Sequence, residues 1–331
     1  MRPGRFGRYA IRTADGVQEA AYLPIGGIEQ YIRVRGRSRA NPVLLVLHGG
    51  PGSTLGATAC RWQGALEAAF TVVHWDQRGS GNTYYRDPAA PPPTVERLLS
   101  DLDGLVDALR ARYGRDRLFL LGHSWGSLLG GLYALRRPEK LSAWLPVSQM
   151  VDFKRSEQVS AAEAIRRARE AGREKDAERL AQELEQVLAL RRLDRAGAGA
   201  LLRFRRRKER YLPPQYGGPS PLGGLAAPEL TGNDLRWKLR FDRMLAANAA
   251  LYEELLGGLS LDGCPPRYGV PVILTAGERD WTTPYPLAAA YYDTLSAPCK
   301  VFLSLPDAGH LPFRERREEW SHILLDALAQ I

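Results

Sequence analysis

The 331-residue sequence predicts an α/β fold, with a mostly parallel central sheet flanked by helices and an inserted helical segment. Three observations carry that reading. Short apolar runs of strand length alternate with helical periodicity through the first half. After Val147 the pattern turns into a long helical region rich in Ala, Glu and Arg. Strand-like runs then return near the C-terminus.

Taken in order, 43–47 is an apolar run ending in Gly and Pro, followed by similar runs at 71–75, 118–121 and 141–147. Between them Thr94 is a good N-cap, and Val95, Leu98, Leu99, Leu102, Leu105, Val106 and Leu109 recur at helical spacing up to Gly114. Strands separated by such helices imply parallel pairing. Residues 156–196 are helical in pattern and 211–228 are rich in Pro and Gly. Strands are expected again at 270–275 and 301–305, then an amphipathic helix over 315–329. The expected division is a core of 1–147 and 263–331 with a helical cap, 148–262, inserted into it.

Composition narrows the function classes. Apolar residues make up 44% and charged residues 25%, close to soluble globular averages, so global disorder is excluded. The basic N-terminus has no apolar h-region, and no stretch approaches the ~20 apolar residues of a spanning helix. A soluble, cytoplasmic protein with no membrane partner is expected. Cys60, Cys264 and Cys299 are odd in number and outside metal-ligand spacing, so they read as reduced structural thiols. The net charge of +9 is concentrated in 154–210, with 17 Lys and Arg against 10 Asp and Glu. There the run Arg205-Arg206-Arg207-Lys208 lacks interleaved aromatics and reads as a solvated helix face, not a nucleic-acid surface.

The chemistry begins at Gly122-His123-Ser124-Trp125-Gly126, which follows an apolar strand and precedes a helical stretch at 128–136. That placement matches a nucleophile elbow, a turn so tight that side chains at 122 and 126 would collide with the neighbouring strand and helix. A serine hydroxyl needs a base and a group to orient it. Asp280 follows the 270–275 strand and His310 follows the 301–305 strand, in the order Ser, Asp, His that the α/β-hydrolase fold uses. Glu278 and Asp152 are alternative acids. Of the five histidines, His48, His74, His123 and His322 read as structural. The glycine-rich turn His48-Gly49-Gly50-Pro51-Gly52 suits an oxyanion site, with the Gly50 and Trp125 N–H groups as donors and Gly49 beside the substrate.

With these residues in place, the sequence resembles the proline iminopeptidase family. The resemblance rests on His-Gly-Gly-Pro-Gly at 48–52, Asp76-Gln77-Arg78-Gly79-Ser80-Gly81, Gly-His-Ser-Trp-Gly-Ser at 122–127 and the late Asp and His. It implies hydrolysis of an amide bond next to a small N-terminal residue, commonly proline, beneath a helical cap. The family holds the substrate's ammonium with cap glutamates preceding an aromatic pair. That pattern is not copied here, and Glu157, Asp242 and Glu253 are the candidate substitutes, each of which could equally be a surface charge. The expected function is therefore a serine hydrolase acting on a small molecule or short peptide, without cofactor or metal. An aminopeptidase or small-amide hydrolase comes first, a carboxylester, lactone or thioester hydrolase second, and a non-catalytic ligand-binding protein last. Oligomeric state is not legible.

Overall fold

A computed structural model describes residues 7–215, 227–262 and 266–331. Its eight strands are β1 (Val17–Ile25), β2 (Ile28–Gly36), β3 (Val43–Leu47), β4 (Thr71–Asp76), β5 (Leu118–His123), β6 (Leu141–Val147), β7 (Val272–Gly277) and β8 (Lys300–Leu305). They form one sheet in the order β1-β2-β4-β3-β5-β6-β7-β8. Pairing is parallel from β4 through β8, while β1 and β2 are antiparallel to each other and β2 to β4.

The apolar runs of β3 to β7 are buried on both faces, as a parallel sheet between helices requires, while the edge strand β8 is only partly buried. In β3, Val43, Leu45 and Leu47 join one core cluster while Leu44 and Val46 join the other, following the two-residue side-chain period. The first face packs against α2 (Val95–Tyr113) and α3 (Trp125–Arg136), which follow the short α1 (Gly81–Arg86). Thr94 caps α2 by accepting from Arg97 N, and Gly114 closes it in the left-handed region, as the sequence predicts. The second face packs against Trp62, Phe313, Trp320 and Leu324.

The β1–β2 hairpin is absent from the sequence prediction. Arg33 and Arg35 interrupt the apolar pattern of β2, yet both are buried: Arg33 pairs with Asp234 at 2.6 Å, and Arg35 with Glu67 at 2.5 Å and Glu229 at 2.8 Å. Distant carboxylates override the local signal. The Gly26-Gly27 turn, with φ of 58° and 77°, is the clue that marks the hairpin.

Among the described residues, six helices lie between β6 and β7: α4 (Phe153–Glu170), α5 (Glu174–Leu188), α6 (Arg195–Lys208), α7 (Gly232–Leu239), α8 (Phe241–Ala247) and α9 (Ala249–Leu256). Most of the Pro/Gly-rich 211–228 stretch lies outside the described residues. The basic run at 205–208 forms the last turn of α6, and it is not simply a solvated face. Lys208 is buried and bonds Glu157 at 2.6 Å, while Arg207 reaches Glu183 at 2.9 Å. Beyond β7 come α10 (Tyr285–Thr294), α11 (Pro312–Glu315) and α12 (Arg317–Leu328), the last matching the helix expected over 315–329 to within two residues. No helix among the described residues is long and apolar enough to cross a membrane. Cys60 is buried and unpaired, Cys299 is free and partly buried, and Cys264 lies outside the described residues.

Candidate active site

The β5–α3 turn holds Ser124 at φ 54° and ψ −121°, a conformation that a non-glycine residue adopts only when its surroundings enforce it. The two flanking glycines permit the turn. A Cβ on Gly122 would lie 2.3 Å from Gly126 O, and one on Gly126 would lie 2.4 Å from Leu47 O. Both contacts are with backbone, which cannot yield without moving a strand or the helix.

Ser124 Oγ lies 3.1 Å from His310 Nε2, and His310 Nδ1 lies 2.9 Å from Asp280 Oδ2. All three residues are buried, with Ser124 5%, His310 4% and Asp280 1% exposed. Asp280 also accepts from Thr282 N at 2.8 Å, from Thr283 N at 3.0 Å and from the Thr283 hydroxyl at 2.9 Å. Burial opposes its charge, but His310 and the Thr283 donors outweigh burial and hold the carboxyl below its ordinary value. The His310 carbonyl accepts from His123 Nε2 at 2.9 Å and from Ser148 Oγ at 3.1 Å, and Glu315 accepts from the Gly309 and Leu311 N–H groups. The base thus sits on a loop whose polar backbone is fixed on both sides.

The alternative acids serve elsewhere. Asp152 caps α4 by accepting from Arg155 N at 2.7 Å, and Glu278 accepts from Ser304 Oγ at 2.7 Å. The other histidines have their own places. His48 donates from Nδ1 to Gly49 O and accepts the Gln77 N–H at Nε2, His74 meets Gln63 at 2.6 Å, and His322 is exposed on α12. Burial pulls His48 down to about 4, and burial followed by nearby Arg33 pulls His74 down to about 3.

The 49–53 turn stands over the serine. Gly49 and Gly50 line the cavity beside Ser124, and Gly50 takes φ 114°, a backbone conformation open to glycine. Three residues outside the predicted set hold the turn. Gln77 donates to His48 O and accepts from Trp125 Nε1 at 3.1 Å, which links the turn to the elbow. Trp237 Nε1 donates to Gly52 O at 2.7 Å, and Tyr252 donates to Pro51 O at 3.3 Å. Gln77 stood inside a motif quoted above; Trp237 and Tyr252 come from the insert, and nothing local in the sequence marks them.

The cavity above Ser124 measures about 500 Å³. Met150, Phe153, Leu201, Trp237, Phe241 and Met244 supply much of its apolar wall. None of the three candidate ammonium-binding acids lines it. Glu157 is buried behind the wall, bonded to Arg205 at 2.7 Å and to Lys208 at 2.6 Å. Asp242 is exposed and pairs with Arg240 at 3.2 Å, and Glu253 faces solvent. The structure therefore withdraws all three from the site, because each is neutralised by its own cation or directed outward. Among the described residues no cluster of three His, Cys, Asp or Glu could hold a metal.

The alpha/beta hydrolase family model matches residues 43–322, and the chain belongs to that family. Within it, this chain is similar to proteins named as peptidases. It is 27% identical over 316 residues to "Probable aminopeptidase YbaC" of Bacillus subtilis (strain 168), covering 91% of this chain and 93% of the relative. It is 34% identical over 113 residues to a proline iminopeptidase of Lactobacillus delbrueckii subsp. lactis, covering 34% of this chain and 37% of the relative. Among solved structures, the proline iminopeptidase of Mycobacterium smegmatis superposes with a TM-score of 0.62 at 22% identity, covering 94% of this chain and 98% of the other, which shows a shared fold.

Proposed function

We propose that this protein is a serine hydrolase that cleaves a small carboxylic amide through an acyl-enzyme on Ser124, with 148–262 acting as its cap. The observation that carries the proposal is the continuous hydrogen-bonded chain from Ser124 through His310 to Asp280 at the base of a cavity of about 500 Å³. In this reading Ser124 Oγ attacks the carbonyl and His310 Nε2 takes its proton. Asp280 keeps the Nδ1 proton in place and stabilises the imidazolium that forms. The N–H groups of Gly50 and Trp125 meet the oxyanion, at the cavity turn and at the first residue of α3. His310 then returns the proton to the leaving amine, and water activated by the same base releases the acid.

The full-length similarity to a protein named as an aminopeptidase supports an amide as the scissile bond. A second reading, hydrolysis of a carboxylester, lactone or thioester, is favoured by the lack of any Asp or Glu in the cavity lining. The undescribed segments 1–6, 216–226 and 263–265 contain no acidic residue that could add one. A peptidase that requires a free ammonium would need such an acid.

The deciding measurement compares kcat/KM for proline p-nitroanilide, its N-acetyl analogue and a p-nitrophenyl ester, with Ser124→Ala as blank. Turnover of the anilide that requires the free amine supports the peptidase reading. Ester turnover without anilide turnover replaces it with the second reading, and no serine-dependent turnover together with no fluorophosphonate labelling of Ser124 ends both.

A further inference from the structure

The charged groups in the cavity wall all carry one sign. Arg205, Lys238 and Arg314 line it, and no carboxylate does. Arg205 is ion-paired with Glu157, a carboxylate it shares with Lys208. Arg314 has no such partner. Its guanidinium donates to the Thr58 hydroxyl at 3.1 Å, and no ion pair engages Arg314 or Lys238 among the described residues. Most other arginines in buried surroundings here, such as Arg33, Arg35 and Arg78, are matched by a carboxylate within 2.8 Å. Burial alone pulls the Arg314 guanidinium down from its ordinary value, with nothing offsetting it, yet an arginine stays charged near neutrality.

From this placement we infer that the cavity takes a substrate bearing an anionic group, a carboxylate or a phosphate, which Arg314 binds with Lys238 alongside. The inference rests on the reading above that this cavity is where the substrate sits, and it names the substrate class. Arg314 is four residues beyond His310, on α11, and Thr58 anchors it from the segment that follows the oxyanion turn. Lys238 comes from the cap, on α7 beside Trp237. An anion seated in this cavity would meet a guanidinium from the segment that follows His310 and an ammonium from the insert. A planar guanidinium offers a carboxylate or phosphate two parallel N–H donors, a geometry an ammonium cannot reproduce. A substrate ammonium would meet two cations and no lining carboxylate, so its binding would be disfavoured.

The test titrates glutarate, glutaramide and 1,5-diaminopentane into the Ser124→Ala protein by calorimetry at constant ionic strength. Glutarate is expected to bind at least about tenfold more tightly than the diamine, and the further change Arg314→Gln to remove about tenfold of that affinity. Arg314→Lys should keep part of it, and Lys238→Gln should weaken it by about threefold. In the unsubstituted protein glutarate should also slow fluorophosphonate labelling of Ser124, which locates the anion in this cavity. Diamine binding equal to or tighter than glutarate binding overturns the inference, as does glutarate affinity unmoved by Arg314→Gln in a protein that melts normally. If Arg314→Gln does not fold, the comparison of glutarate with the diamine in the Arg314 protein decides. Glutarate binding without Ser124 labelling would uphold the anion site and remove the acyl-enzyme reading, so the two failures are distinguishable.

Discussion

The sheet and the helical insert use polar residues in opposite ways. At the C-terminal edge of the sheet, Ser124, His310 and Asp280 are buried in a chain of hydrogen bonds that ends in the cavity. In the insert, the buried carboxylates turn away from the cavity and are spent on structure. Glu157 binds α6 to α4, and Asp234 pairs with Arg33 while also accepting from Thr231 and Asn82. Burying an ion costs several kcal/mol unless it is paired, so a buried charge in a helical layer first answers the needs of packing. The buried carboxylates of the insert are therefore poor guidance to what the site binds, whereas strand-end polar residues of the sheet are good guidance.

The largest test of this contrast is at the sheet edge. Ser124→Ala is expected to lower kcat/KM on any hydrolysed substrate by about 10⁵-fold, and Asp280→Asn by about 10⁴-fold, because the wrong histidine tautomer disables the base. Both proteins should melt within about 1 kcal/mol of the parent, since neither change leaves a buried charge without its partner. Near-normal turnover in Asp280→Asn would transfer the acid's role elsewhere and break the contrast at its strongest point.

What was legible in the sequence divides along the same line. Strands β3 to β8 announce themselves because each carries a run of apolar residues of strand length, and the elbow does so because backbone contacts of 2.3 and 2.4 Å leave no room for side chains at 122 and 126. The order of serine, acid and histidine follows from strand order. Hairpin β1–β2 was missed because Arg33 and Arg35 look like exposed charges until their partners 201, 32 and 194 residues away are known. Long-range pairing likewise takes Glu157 out of the cavity, whereas Asp242 is held by nearby Arg240 and Glu253 faces solvent. Gln77, Trp237 and Tyr252, which hold the 49–53 turn, act through contacts that no local spacing encodes.

A middle-sized effect is expected inside the insert. Glu157→Gln strips two cations of their shared carboxylate, and breaking a buried pair in this way should cost about 3–5 kcal/mol, readable from urea unfolding. Burial opposes the charged form of Glu157, but Arg205 and Lys208 outweigh it and bring its carboxyl down to about 2. Lys208 is itself lowered by burial, against the pull of Glu157. The sign follows: with the folded value below the unfolded one, this contribution is present above about pH 4.5 and lost as pH falls toward 2. The stability gap between parent and variant should therefore narrow over that interval. A constant gap would mean that Glu157 acts through shape instead of charge.

The smallest expected effect is the most informative about recognition. Asp242 pairs in the open with Arg240, and Glu253 projects from α9 into solvent, away from the cavity lining. Exposed charges contribute little, so Asp242→Asn and Glu253→Gln should each leave the urea midpoint unmoved and change kcat/KM by less than about twofold. The comparison must be run on both a free-amine substrate and its N-acyl analogue. A loss of tenfold or more confined to the free amine would mean that one of these acids reaches the substrate's ammonium after the cap moves. It would also mean that the cavity lining underestimates what the insert contributes. Equal, near-unit ratios on both substrates would leave recognition to the cavity's own wall, where the charges are Arg314, Lys238 and Arg205.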